Sequence, residues 1–426
     1  MLNKIKIWHF IVLVIGLIII LRFGYVIDLL TVYYLFFQTL LAGKENVNSF
    51  ITFPFIDNFI SICLIFVLPI VILGSAGVKN KLSSRLKFSN IFIVLLLVSF
   101  VFAPIITKQH PDFQKNISVT KLLPPFSSSN YILLNQSNKE ESVQDNKLKD
   151  LIDSKIPKSF NDEIIFLDSS SFDSAFKYYQ SGVLSVIDIN KLKTENDKPF
   201  IGTKLFILGT DEFGRDVFTR IVYGCRISII IGLGAVFVSF FLGIILAFIA
   251  SQIGGLLRIL INRIADLFLT FPSIFLVVLI LALFGSNILS IIIVLGFSGW
   301  MSLFKIASSE IISLKQKEFF LTAEQIGLKK LRLLIREVLP VIIVPVIVNL
   351  IFQLSNVILA ESALSYLGLG TGSEYSSWGS MIESGQEYIT QSWWLIFIPG
   401  ITLIITLLSI NEAGRKFSQK INPTIR

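Results

Sequence analysis

Three observations predict an all-α polytopic membrane protein. Of 426 residues, 53% are hydrophobic and only 15% charged, against about 25% charge in a typical soluble domain. Mean hydropathy is +0.75. The apolar residues gather in long unbroken runs, and roughly 20 such residues rising 1.5 Å each cross a hydrocarbon core of about 30 Å. Barrel strands need only about ten residues and alternate, so continuous runs mean helices. The composition excludes a soluble enzyme, a disordered scaffold and a small disulfide-stapled secreted protein.

In chain order, apolar segments fall at 7–22, 51–74, 90–108, 227–253, 268–285, 288–306, 338–360 and 393–411. The N-terminus has the basic start (Lys4, Lys6) and apolar stretch of a signal sequence, yet no small-residue cleavage site comes after it, so it reads as a retained span. A further stretch, 26–42, is interrupted by Asp28 and Gln38, which suits a helix lying in the membrane interface. Residues 1–89 thus read as an N-terminal membrane extension of about two spans, 90–108 as the first core span, 109–207 as an extracytoplasmic insertion, and 208–426 as the remaining core. The insertion mixes charges and Ser/Asn runs with Phe160, Phe166, Phe172, Phe176, Tyr178 and Tyr179. So many aromatics argue against pure disorder; a small outside domain or partly ordered loop is expected, with 127–150 as its flexible part.

Orientation comes from Lys and Arg in the short loops. Residues 75–89 carry Lys79, Lys81, Arg85 and Lys87; residues 307–338 carry Lys315, Lys317, Lys329, Lys330, Arg332 and Arg336; the tail carries Arg415, Lys416, Lys420 and Arg426. These are cytoplasmic. Residues 361–391 have no Lys or Arg but have Glu361, Glu374, Glu383 and Glu387, and are outside. The net charge of +8 is therefore topogenic, and with no basic soluble face nucleic acid is not an expected partner; the lipid bilayer is. Cys63 and Cys225 offer neither a bridge framework nor a C-x-x-C pair.

The cytoplasmic stretch 317–340 is the first informative pattern. Leu328, Leu331, Leu334, Ile335 and Val338 recur at helical spacing, Lys329, Lys330, Arg332 and Arg336 take the other face, Gly327 permits a break, and Pro340 opens the next span. Two readings fit: a compact helical knob that docks on a partner, or a basic helix lying on anionic lipid.

Here the chain resembles the permease subunits of ABC importers. Their cytoplasmic signature is Glu-Ala-Ala, three residues, Gly, about nine residues, an aliphatic residue and Leu-Pro. In this chain Leu321, Thr322 and Ala323 stand where Glu-Ala-Ala would be, Gly327 is the glycine, and Leu339-Pro340 ends the motif. Denser matches point to the C-type permeases of dipeptide, oligopeptide and nickel importers. Residues 208–226 carry Gly209, Thr210, Asp211, Gly214, Arg215, Asp216, Arg220, Gly224 and Arg226 nearly letter for letter. Gly254-Gly255, Arg263, Asp266, Phe271-Pro272, the run Glu361 to Gly370, Ser377-Trp378-Gly379 and Pro399-Gly400 continue in family order. Residues 1–89 and about 128–205 are not covered, and the 411–423 tail departs from the more acidic family ending.

The resemblance implies a type I ABC importer permease core of six transmembrane helices in the cytoplasmic (inner) membrane. Its implied partners are a second permease subunit, two ABC ATPase subunits and an extracytoplasmic solute-binding protein. The implied cargo is a di- or oligopeptide, with nickel or another small solute as the alternative. No cofactor is expected on this chain: it has no Gly-x-x-x-x-Gly-Lys-Ser/Thr loop, so ATP and Mg would act through the partner ATPases. The 307–338 loop, with Leu328, Leu331 and Leu334, would be their docking site.

Rival classes have their own signatures. Gly296-Phe-Ser-Gly299 matches an intramembrane serine protease pattern, but the only histidines, His9 and His110, lie far from mid-bilayer, and small residues at a helix contact explain it better. An ion-coupled secondary transporter would place carboxylates mid-membrane; Lys305, Asp266 and Glu361 sit near span ends, where hydration is expected. Asn349, Gln353 and Asn356, spaced i, i+4, i+7, share one helical face. Buried amides in lipid must meet protein or water, so this stripe either lines the passage or bonds neighbouring helices together.

Overall fold

The computed structural model describes residues 6–42, 50–84, 86–135, 148, 151–152, 154–161, 163–172, 176–195, 198–253, 255–325, 330–372 and 375–421. The chain forms two compact units: Met1–Lys87 with Val94–Cys225 and Ser384–Ile398, and Phe88–Ile93 with Arg226–Glu383 and Pro399–Arg426. Seven helices among the described residues are long and apolar enough to cross a membrane, and one bent helix pair passes the same test together.

In the first unit α1 (Ile7–Leu21) and α2 (Phe23–Leu41) are separated only by Arg22, and the Val26 N–H still donates to the Arg22 carbonyl. The helices α3 (Phe53–Gly74), α4 (Ala76–Lys81) and α5 (Phe88–Thr107) come next. The Ile7 N–H donates to the Ser84 carbonyl at one end, and Arg22 Nε and Nη2 donate to the Ile106 carbonyl at the other, at 3.0 and 2.5 Å. So α1 and α5 climb side by side. Stretch 26–42, expected as an interfacial helix, is helical to Leu41 and packs on the first turns of α3, where Tyr25 Oη donates to Asn58 Oδ1 and Tyr33 Oη to the Phe55 carbonyl. Asp28 pairs with Lys155 Nζ at 2.8 Å.

The insertion holds a short helix, α6 (Ile117–Thr120), and eight strands: β1 (Ser127–Leu133), β2 (Ile164–Leu167), β3 (Ser169–Phe172), β4 (Phe176–Gln180), β5 (Val183–Ile187), β6 (Thr194–Glu195), β7 (Lys198–Pro199) and β8 (Ile201–Phe206). They form antiparallel sheets in the orders β2-β1-β8, β3-β4-β5 and β6-β7. The start of the stretch expected to be flexible is thus a central strand. Ser128 and Ser129 are held by backbone pairing with Leu205 and Lys204, while Ile132 is fully buried; polar side chains hid a ladder that both flanking strands satisfy. Residues 136–147 lie outside the described residues. Leu148, Ile152 and Ile156 belong to the same apolar core as Ile15, Leu29, Ile65 and Phe102. The extension and the insertion, separate in sequence, are therefore one packed body.

The second unit contains most of α7 (Val217–Ile253), then α8 (Gly255–Thr270), α9 (Ser273–Phe284), α10 (Ile288–Lys315), α11 (Glu318–Gln325), α12 (Lys330–Leu333), α13 (Leu339–Tyr366), α14 (Trp378–Gly385) and α15 (Trp394–Ile421), the last two shared with the first unit. The run 268–285 is not the straight crossing its hydropathy suggests. α8 and α9 meet at 91°, because Pro272 cannot continue α8 and pushes its predecessor out of helical geometry. Lys305 Nζ then bonds Asp266 at 2.7 Å and Asn262 at 2.9 Å, fastening α10 to α8.

Exposed Ser171 in β3 and Ser84 before α5 report the sidedness. In intact spheroplasts of a strain lacking Cys63 and Cys225, an impermeant thiol reagent should label Ser171→Cys and spare Ser84→Cys. The opposite pattern would invert the topology.

Candidate functional site

The knob expected on the cytoplasmic side is built from α11, α12 and a π-helical turn, Leu334–Val338. Phe320, Leu333 and Val338 are buried in one core with Leu303, Ala307 and Ile342. Phe319, Leu321 and Ile335 are 41%, 46% and 52% exposed. The expected face joined Ile335 to Val338; the structure separates them, since an i→i+5 turn adds a residue and rotates the positions beyond it. Exposed Thr322 lies on α11, which also carries Ala323, and Pro340 opens α13, while Leu331 and Leu334 are on the α12 and π-helical backbone. Gly327 and Leu328 lie outside the described residues.

On α13 the polar stripe divides. Gln353 Nε2 donates to Ser239 Oγ of α7 at 2.6 Å, and Ser239 Oγ donates to the Gly296 carbonyl of α10 at 2.6 Å. Gly299 leaves the space the Gln353 amide fills. Asn349 Oδ1 and Gln353 Oε1 are buried and accept no hydrogen bond among the described residues. Asn356 is exposed. Sequence patterning found the stripe but not Ser239, a lone serine more than a hundred residues away with no pattern of its own.

Glu361 corrects the expectation of a hydrated residue at a span end. It is 0% exposed. Ser365 Oγ donates to it at 2.9 Å and Ser228 Oγ of α7 lies at 3.5 Å, with Ser377 also bonding to it. Buried carboxylates persist only where donors replace water, and these serines join α13 to α7 and to the segment before α14.

The 208–226 motif forms a buried ionic clasp in the first unit. Asp211 Oδ2 accepts from Arg215 Nε at 2.7 Å and Arg220 Nη1 at 2.6 Å, while Asp211 Oδ1 accepts the Phe213 and Arg215 N–H groups. Asp211, Arg215 and Arg220 are each under 5% exposed. Burial, reinforced by Asp211, pushes the Glu212 carboxyl up. Gly214 has φ +71°, and a Cβ there would overlap the Thr120 hydroxyl. Thr210 Oγ1 donates to the Thr120 carbonyl and accepts from the Leu123 N–H, and Trp394 Nε1 of α15 donates to the carbonyl of Thr210, the residue after Gly209. Asp216 caps α7 by accepting from Thr219 Oγ1 at 2.6 Å. Gly224 is buried and Arg226 half-buried within α7. The motif thus knits α6, the loop before β1, the start of α7 and the start of α15.

Residues 239–422 match the family described as binding-protein-dependent transport system inner membrane component. The dipeptide transport system permease protein DppC of Alkalihalophilus pseudofirmus is 34% identical over 218 residues, 51% of this chain and 72% of that protein. DppC of Bacillus subtilis is 33% identical over 219 residues, 51% of this chain and 68% of that protein. The oligopeptide transport system permease protein OppC of Haemophilus influenzae is 34% identical over 218 residues, 51% of this chain and 70% of that protein.

Asp211→Ala leaves two buried guanidinium groups without their shared carboxylate. Stability of the purified protein should fall by about 3–5 kcal/mol, read as a lower melting temperature in detergent; Glu361→Gln, whose serine partners can still bond an amide, should fall by less.

Proposed function

We infer that this chain, which belongs to the family of binding-protein-dependent transport system inner membrane components, is the permease subunit of an ATP-driven importer moving di- or oligopeptides inward across the cytoplasmic membrane. A second permease completes the passage, two ATPase subunits hydrolyse ATP with Mg in the cytoplasm, and an outside binding protein delivers the solute. The exposed apolar side chains Phe319, Leu321 and Ile335 on an otherwise charged cytoplasmic loop carry this reading. Apolar anchors on short helices suit a groove on a partner protein. Their core neighbours Leu333 and Val338 pack with Leu303 and Ile342, so a push on the knob reaches α10 and α13 directly. Rigid helices then transmit ATPase closure as a rocking motion.

The solute reading draws on the stripe. A peptide presents backbone N–H donors whatever its side chains, and the buried acceptors Asn349 Oδ1 and Gln353 Oε1 suit such donors. The Gln353 amide donates to Ser239, so this residue both fastens α13 to α7 and offers an acceptor.

Leu321→Asp, at an exposed position, should leave membrane insertion and melting unchanged while the ATPase subunits no longer co-purify and uptake is lost. Normal co-purification with normal uptake would refute the docking role. The stripe is read separately. Gln353→Leu should lower both uptake and stability, the latter by about 0.6–1.7 kcal/mol for a lost interhelical bond. Asn349→Leu should lower uptake with melting unchanged; uptake that stays normal in Asn349→Leu would remove that residue from the passage.

A further inference from the structure

Within the first unit, the Arg22 junction of α1 and α2, the end of α5 and the insertion enclose a cavity of about 1230 Å³. Among the described residues five cations line it, Arg22, Lys108, Lys155, Lys158 and Lys204, against one carboxylate, Glu163, and Lys155 is paired with Asp28. Two of these cations have no carboxylate within ion-pair distance among the described residues. Lys204 Nζ donates to Gln109 Oε1 and sits 4.9 Å from the centre of the Phe206 ring, and Lys108 Nζ sits 5.3 Å from that of Tyr25. Burial pulls the Lys204 ammonium down to about 8 and lowers Lys108, whose neighbour Arg22 adds to the effect. Such desolvated, mutually repelling cations are stabilised by a bound anion.

The height of the cavity says which anion. α5 starts at Phe88, after the basic cytoplasmic loop, and, kinked at Phe102, runs 20 residues to Thr107, near the length that crosses a hydrocarbon core of about 30 Å. Lys108 and Arg22, bonded to the Ile106 carbonyl, therefore stand at the outer phosphate layer. The lining also includes the apolar side chains Phe113, Leu133, Ile156 and Phe166, with the Phe113 ring 5.6 Å from Lys204 Nζ. We propose that this cavity is a binding site for the phosphate of an anionic phospholipid headgroup of the outer leaflet, held by Lys108, Lys204 and Arg22. The site belongs to the extension and insertion, which lie outside the family match at 239–422, and it holds that added body to the membrane surface.

The test uses the full chain in nanodiscs containing phosphatidylglycerol and phosphatidylcholine, with retained lipid counted by native mass spectrometry. Phosphatidylglycerol should be retained by the unaltered chain, with binding about fivefold weaker for each charge removed in Lys108→Gln and Lys204→Gln. The exposed Lys193→Gln, with the same charge change away from the cavity, should retain it fully, and so should Lys204→Arg, which also shows that the site tolerates substitution. Equal retention in all variants would overturn the proposal. So would displacement of the lipid by millimolar glycerol 3-phosphate, which would mark a site for soluble phosphates instead.

Discussion

Inside the hydrocarbon every polar group must find its partner in protein, and this constraint accounts for most of the bonding between these helices. Glu361 is buried among serines from α7, α13 and the segment before α14. Gln353, Ser239 and the Gly296 carbonyl link α13, α7 and α10 in one chain of bonds. Lys305 and Asp266 join α10 to α8 across the bent pair, and Ser61 Oγ donates to the Val101 carbonyl to join α3 and α5. Each bond is modest alone, about 0.6 kcal/mol on average in membranes. Apolar helix faces are interchangeable with lipid, so it is these bonds that select which helices meet and in what register.

Outside the spans the same rule acts on charge. The Asp211 clasp places one carboxylate under two guanidinium groups and two backbone N–H groups, with almost no water. Asp211 is its least replaceable member, because removing it leaves two buried guanidinium groups without their shared carboxylate. Gly214 lets the loop turn tightly enough to reach Thr120. The density of the sequence motif here has a direct cause: nearly every letter from Thr210 to Arg220 is a bond donor, an acceptor, a turn or a helix cap.

The long apolar runs and their order were legible in the sequence because each leaves a local trace, and residues 208–226 stood out as a dense motif, though the ionic bonds that build it did not. The stripe on α13 was legible as a face, since its three amides keep helical spacing. The features that escaped depend on contacts between distant residues or on small departures from ideal geometry. Ser239 has no pattern until Gln353 is beside it. The bend at Pro272 leaves hydropathy unchanged, and the π-helical turn at Leu334–Val338 moves Ile335 to the surface without altering composition. The strand β1 is serine-rich and is held by backbone pairing. Nothing in linear order says that Leu148, Ile152 and Ile156 pack with α1, α2 and α3.

Glu361, Asp266 and Lys305 fasten helices to one another, which suits an importer driven from outside the membrane. The decisive measurement is uptake of a labelled dipeptide into proteoliposomes holding the assembled complex and its binding protein. Uptake should require ATP on the ATPase side and persist when ionophores collapse the proton and sodium gradients. Uptake without ATP, driven by an imposed pH or sodium gradient, would contradict ATP-driven transport and make the chain an ion-coupled carrier.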